Sequence, residues 1–251
     1  MRIAMLTIFV TSQCGENCPY CSQTHLRQSL GKYHMGLDEV GKLIERCQIL
    51  GVHYDLIRLS GGEPTLWKHI YPGLEMLSNS GIADKFDIAS NCQRPDVIEA
   101  IIDLLSAVRL TLYPNNSDSI REIALKYPEK VNVWGEAHRK MPAMPLKGTL
   151  PANCCCTAQA YSKGWFYSCP NAFSNACHVG LDVHSPELAC SVNENFGAHF
   201  LAHHESRYSH LICSVCLANE HVWKIQRPTE LPSTVSPGDN ISIASRAGIV
   251  V

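Results

Sequence analysis

Three cysteines, Cys14, Cys18 and Cys21, stand in a C-x3-C-x2-C pattern directly after an apolar, β-branched run, Ile3 to Val10. The run reads as a buried strand, so the cysteines fall on the loop that leaves it. Three thiolates on so short a loop can hold three irons of a cubane and leave the fourth iron without a protein ligand. Four-cysteine ferredoxin sites fill that position. An open iron takes an exogenous ligand. A zinc knuckle or a partial disulfide set is the competing reading of three close cysteines, and the rest of the chain decides between them.

Composition narrows the setting. The chain of 251 residues holds 13 cysteines, an odd number, and its Met1-Arg2-Ile3 start leads into a strand without a signal-peptide pattern. Metal binding is then a better use of the thiols than a disulfide framework, and a cytoplasmic protein is the expectation. A net charge of −2 gives no basic footprint for a long nucleic acid. No apolar run approaches the roughly 18 residues that a membrane span requires, so no membrane partner is expected.

A second signal follows. Leu37 to Leu50 carries Val40, Leu43, Ile44, Cys47 and Leu50 on one face of a helix, which makes Cys47 a packed core thiol. Tyr54 to Leu59 reads as a strand that ends in Ser60-Gly61-Gly62-Glu63-Pro64. Glycines at a strand end let the backbone approach a ligand closely. Cysteine loop, helix, strand and then GGEP, in this order, resemble the radical SAM superfamily, down to the aromatic Tyr20 before the last cysteine.

The resemblance implies a [4Fe-4S] cluster on Cys14, Cys18 and Cys21, with S-adenosylmethionine (SAM) chelated to its open iron. It implies SAM contacts at Tyr20, Ser60, Gly61, Gly62, Glu63 and Pro64, and at Ser90 and Asn91 for the ribose or carboxylate. One electron would then cleave the sulfonium and release a 5′-deoxyadenosyl radical.

The strand–helix rhythm continues. Trp67 to Ser78 reads as a helix, Lys85 to Ala89 as a strand, Pro95 to Leu105 as a helix and Val108 to Tyr113 as a strand. Asp118 to Tyr127 is a helix capped by Ser117 or Asp118, and Val131 to Trp134 is a fifth strand. Repeated βα units imply an α/β fold with a parallel sheet and right-handed crossovers. Five units are too few for a closed barrel, so the expectation is a partial (β/α)6-type barrel over residues 1–150. Chemistry gathers at the carboxyl ends of such strands, which adds Tyr113-Pro114-Asn115 to the candidates. Cys92, beside Asn91, has no assigned role.

Residues 151–226 hold a second cysteine field: Cys154-Cys155-Cys156, a short strand, a Ser162-Lys163-Gly164 turn, a second strand ending at Cys169, and later Cys213-Ser214-Val215-Cys216. This resembles the twitch module, the shortened form of the SPASM extension. By that likeness it is a small β-hairpin/helix domain with an auxiliary [4Fe-4S] cluster on Cys156, Cys169, Cys213 and Cys216, with Cys154 as the alternative first ligand. A structural zinc on the same thiolates is the competing reading. His199 and His203 are four apart, yet no H-E-x-x-H pattern completes them. Residues 227–251 read as a tail.

The resemblance implies abstraction of one hydrogen atom from a small polar substrate: a sugar, cyclitol or nucleotide derivative. Twitch-bearing relatives include aminocyclitol dehydrogenases and the cyclase of molybdopterin biosynthesis. The latter's Gly-Gly tail and arginine-rich nucleotide site are not visible here, and the leader-binding extension of peptide-modifying members is not seen ahead of the first strand. Dehydrogenation is the expectation, with redox-neutral epimerisation or peptide modification as alternatives, and a flavodoxin- or ferredoxin-like electron donor as partner. A non-catalytic iron–sulfur or zinc redox sensor would explain the cysteines but leave Gly61-Gly62-Glu63-Pro64 unexplained.

Overall fold

The apolar run at the start of the chain forms β1 (Arg2–Thr11) at the centre of an eight-stranded sheet. The computed structural model describes residues 1–16, 21, 23, 30–113, 115–134, 158–167, 169–173, 176, 181–186, 188–192, 197 and 200. After β1 come α1 (Leu37–Ile49), β2 (His53–Gly61), a 3-10 turn (Pro64–Leu66), α2 (Ile70–Asn79) and β3 (Phe86–Ser90). Then follow α3 (Pro95–Ile101), β4 (Ala107–Thr111), α4 (Ser117–Lys126) and β5 (Val131–Trp134). The last strands are β6 (Ala158–Ser162), β7 (Trp165–Tyr167) and β8 (Ala189–Ser191).

The sheet runs β5-β4-β3-β2-β1-β6-β7-β8. Strands β1 to β5 pair in parallel and in series, as right-handed βα units require. The sixth parallel strand does not follow β5. It is β6, from the segment assigned to the auxiliary module, and it occupies the other edge of β1. Strands β6 and β7 form an antiparallel hairpin with Ser162 opposite Trp165, and both turn residues, Lys163 (φ 48°) and Gly164 (φ 79°), are left-handed. Two left-handed central residues match the strand twist.

Paired residues share a face of a sheet, and the two faces here differ in chemistry. Ile8, Leu59, Ile88 and Val108 fall on the helix-covered face and join the main core with Val40 and Leu43 of α1 and Leu74 and Leu77 of α2. The other face is divided. Near β6 it is apolar, with Phe9, Ala160, Tyr167 and Phe173 in a second cluster. Across β2, β3 and β4 it carries Arg58, Asp87 and Arg109. The buried Asp87 carboxylate accepts from Arg58 Nε at 2.8 Å and Nη2 at 2.7 Å, and from Arg109 Nε at 2.9 Å.

Three helix boundaries differ from the sequence reading, and the helix read as Pro95 to Leu105 is an α-helix only to Ile101, followed by a 3-10 turn over Ile102–Leu104. The helix expected from Trp67 starts at Ile70, because Pro72 has no N–H and fits only in a first turn. Trp67 instead plugs the core at 1% exposure, its Nε1 donating to the Met35 carbonyl at 2.7 Å. The helix expected to be capped by Ser117 or Asp118 has Asn116 at its cap position, with no side-chain capping bond. The Asn116 amide is engaged elsewhere, at the strand ends. Among the described residues no helix is long and apolar enough to cross a membrane.

Trp67→Ala should destabilise the chain by about 4 kcal/mol, the usual cost of emptying a buried tryptophan site. Denaturant unfolding of the purified protein measures it; a change below about 1 kcal/mol would contradict the packing described.

Candidate active site at the strand ends

The loop that carries the first cysteine is closed at its base. A bulge between Phe9 and Thr11 ends the β1–β2 register, and bulges re-aim the chain as it leaves a sheet. Beyond it, Ser12 N donates to Tyr33 O at 3.0 Å and Met35 N donates to Val10 O at 2.8 Å, so the returning chain is pinned to the end of β1.

The glycines after β2 support this loop from below. Gly62 N donates to Thr11 O at 2.7 Å and Glu63 N to Gln13 O at 2.6 Å. A Cβ at Gly62 would lie 2.1 Å from Gln13 O, and one at Gly61, where φ is +124°, would lie 2.4 Å from Thr11 O. What these glycines admit closely is therefore the backbone leading to Cys14. The sequence reading assigned that approach to a ligand alone.

Glu63 is 1% exposed, and its carboxylate is held by four donors. Oε1 accepts from Thr65 N at 3.0 Å, Thr65 Oγ1 at 2.7 Å and Ser90 Oγ at 2.6 Å, while Oε2 accepts from Asn91 N at 2.6 Å. Burial pushes this carboxyl above the usual carboxylate range, and the hydrogen bonds from Ser90, Thr65 and Asn91 oppose the rise. The side chain thus joins the end of β2 to the end of β3. Ser90, on the helix-covered face, donates to this carboxylate. Ser60 lies on the face of Arg58, and Pro64 is buried in the 3-10 turn.

Three amide side chains from the loops after β3 and β4 contact successive residues of the cysteine loop. Asn91 Nδ2 lies 3.5 Å from Cys14 Sγ, Gln93 Oε1 accepts from Gly15 N at 3.1 Å, and Asn115 Nδ2 donates to Glu16 Oε1 at 2.8 Å. Asn116 braces them from behind. Its Nδ2 donates to Asn91 O at 2.6 Å and to Thr111 O at 3.0 Å, and its Oδ1 accepts from Tyr113 N at 2.6 Å. Gln93 and Asn116 were missed from sequence. The signal available was only their nearness to strand ends already singled out.

Cys21 lies among the described residues, its sulfur accepting from Gln23 N at 3.4 Å. Both described sulfurs of the motif thus receive N–H donors, which suits thiolates in an iron–sulfur site. Asn91 Oδ1, buried beside Cys14, has no partner among the described residues. Sulfurs held by donors, and an orphaned acceptor next to the Cys14 sulfur, fit a cluster with a further ligand. Cys92 is buried in the helix-side core at φ 60°, its thiol pushed up to about 12 by burial and the neighbouring Glu63. Cys47 is buried as expected and pushed up to about 12 by burial. Cys18, Tyr20, Pro114, Cys154, Cys155, Cys156, His199, His203, Cys213, Cys216 and the tail lie outside the described residues. Cys169 lies within them, half-buried and packed against the second apolar cluster.

The sequence model of the Radical SAM superfamily matches residues 8–138. The chain is 29% identical over 125 residues to a GTP 3′,8-cyclase of Alkaliphilus oremlandii, a match spanning 49% of this chain and 38% of the relative. It is 33% identical over 82 residues to a probable GTP 3′,8-cyclase of Methanothermobacter thermautotrophicus, covering 33% of this chain and 26% of that one. The aligned part of this chain thus spans well under half the length of these curated relatives. Among solved structures, BtrN in complex with AdoMet and 2-DOIA is similar in fold, with a TM-score of 0.59 at 16% identity, over 85% of this chain and 92% of that one.

Gly62→Ala should displace Gln13 and with it the lead-in to Cys14. Chemical reconstitution with iron and sulfide should therefore give under half the wild-type iron per chain, together with a lower unfolding midpoint. Full iron content at unchanged stability would show that the close approach at Gly62 is not needed to form the loop.

Proposed function

The chain belongs to the radical SAM superfamily, a superfamily of enzymes, and we propose that it abstracts a hydrogen atom from a small polar substrate, a sugar, cyclitol or nucleotide derivative, with dehydrogenation as the outcome. The observation that carries this reading is the gathering of Cys14, the Gly61-Gly62-Glu63 turn and Asn91 at the carboxyl ends of adjacent parallel strands. Cys14, Cys18 and Cys21 would hold the [4Fe-4S] cluster. When bound, the cluster would supply the single electron for reductive cleavage of SAM, the chemistry on which hydrogen-atom abstraction depends.

The chain's own residues position and shield. Glu63 fixes Ser90 and Asn91, the glycines hold the cysteine loop against β2, and Tyr20 and Ser60 complete the SAM-facing set by resemblance. On the face of Arg58, Asp87 and Arg109, two guanidinium groups hold one buried carboxylate, which makes this part of the face polar. That surface supports a hydroxylated or charged substrate over an apolar one. The cyclase matches cover about half of this chain. They support the shared SAM chemistry and leave the substrate to the remainder of the chain.

We assign residues 151–226 to a twitch-like module whose cluster, on Cys156 or Cys154 with Cys169, Cys213 and Cys216, accepts the electron that dehydrogenation releases. A flavodoxin- or ferredoxin-like protein would reduce the first cluster, in a cytoplasmic setting.

Replacing Cys14, Cys18 and Cys21 together with Ala should remove about four irons, one cubane, and abolish 5′-deoxyadenosine formation from SAM and dithionite under anaerobic conditions. Continued 5′-deoxyadenosine production by this variant would overturn the assignment. Replacing Cys213 and Cys216 with Ala should remove about one further cubane while SAM cleavage without substrate persists. One zinc per chain beside a single cubane in the wild type would make the module a structural clamp and favour a redox-neutral outcome such as epimerisation.

A further inference from the structure

We propose that the Asn91 side chain is a positioning residue that raises the reduction potential of the cluster held by Cys14 and relays ligand binding to it. The inference rests on the radical SAM reading above and adds a regulatory contact to that site.

Asn91 is immobilised on every side but one. Its N–H is bound by Glu63 Oε2 and its C=O by Asn116 Nδ2, both at 2.6 Å. The next residue, Cys92, has a left-handed φ of 60° and turns the chain away at once. A non-glycine residue in that region persists only where its surroundings impose it. Asn91 is 8% exposed. With the backbone fixed, its amide places Nδ2 at 3.5 Å from Cys14 Sγ and leaves Oδ1 buried with no partner among the described residues. The reverse amide orientation would set an oxygen lone pair against the sulfur, so the donor belongs on the sulfur side.

An N–H directed at a cluster thiolate withdraws charge from the sulfur. It therefore favours the reduced cluster, which carries the extra electron. The orphaned Oδ1 supplies the second half of the relay. A ligand group that donates to it, an ammonium or a hydroxyl, polarises the amide and strengthens the Nδ2–H donor, because hydrogen bonds in series reinforce each other. Ligand binding would thus make the cluster easier to reduce, through a single side chain and without movement of the backbone. Gln93 and Asn115 touch the same loop but reach Gly15 N and Glu16, not a sulfur.

The test uses the full chain reconstituted with iron and sulfide, with Asn91→Ala and Asn91→Asp as variants. Iron per chain and the midpoint potential, followed by electron paramagnetic resonance, are measured with and without SAM. Asn91→Ala should keep its iron, while the ratio of reduced to oxidised cluster at a fixed poise falls about tenfold, 59 mV for a one-electron couple. Asn91→Asp, which loses the donor and adds negative charge, should fall further. The wild type should show a rise in midpoint on adding SAM, and that rise should shrink in both variants. An unchanged midpoint in iron-replete variants overturns the proposal, as does a full SAM-induced rise in Asn91→Ala. Loss of iron in both variants overturns it too, since the residue would then only shape the loop. Failure of the underlying reading looks different: the wild type itself would assemble no cluster, or would assemble one and yield no 5′-deoxyadenosine.

Discussion

The ends of β2, β3 and β4 are held in register by one buried carboxylate. An ionised Glu63 without partners would be costly in the interior, but four donors converge on it from Thr65, Ser90 and Asn91. Asn91 passes the constraint on, because its carbonyl is bound by Asn116, whose amide also ties the backbone at Thr111 and Tyr113. A single hydrogen-bonded path therefore joins three successive strand ends. Everything that touches the cysteine loop from this side hangs on that path. Moving Glu63 would move Ser90 and Asn91 together, which is why the site is better regarded as one unit than as separate motif residues.

The other support of the cysteine loop is backbone on backbone. At Gly62 the carbonyl of Gln13 occupies the space where a side chain would begin, and two N–H donors from the turn after β2 bind the carbonyls of Thr11 and Gln13. The glycine pair thus serves the fold before any ligand arrives. The acid that follows it does the same, since the carboxylate contacts described all lie within the protein. Motif residues that contribute to ligand binding through the shape they impose on a neighbouring loop would look, in sequence alone, like direct contacts.

That confusion marks the limit of what was legible. The helical spacing of Val40, Leu43 and Cys47, and the apolar runs of β1 to β5, identified the elements because periodicity is a local property of the chain. Cys47 in the core and the Lys163-Gly164 turn were readable for the same reason. Pro72 shortened α2 from its expected start, a rule readable in sequence but outweighed there by Trp67, whose apolar ring suited a helix face equally well. The place of β6 against β1 was not readable, because strand pairing across some 150 residues leaves no local pattern. Gln93 and Asn116 escaped notice for a related reason: an amide a few residues past a strand end resembles ordinary turn chemistry until the partner strand is in view.

Two buried carboxylates on neighbouring strands are compensated in different ways, and the difference orders what can bind near them. Asp87, three residues before Ser90 on β3, lies between the guanidinium groups of Arg58 and Arg109. Its charge is met by both of them. Glu63 has only neutral donors, so when ionised it keeps its field and favours a positive group beside it. The strand ends therefore suit a cationic ligand, while the face two or three residues below is polar and suits a hydroxyl-bearing one. S-adenosylmethionine carries a sulfonium and an ammonium, and on the proposed reading it takes the first position. On the same reading a polar substrate would take the second, along the same strands, where transfer of a hydrogen atom from it needs only contact with the first. The thiolates of the cysteine loop add negative charge to the first position and oppose reduction of a cluster there. The Asn91 donor at Cys14 is the group placed to offset that opposition, which gives a physical reason for so heavily braced a side chain at this point of the fold.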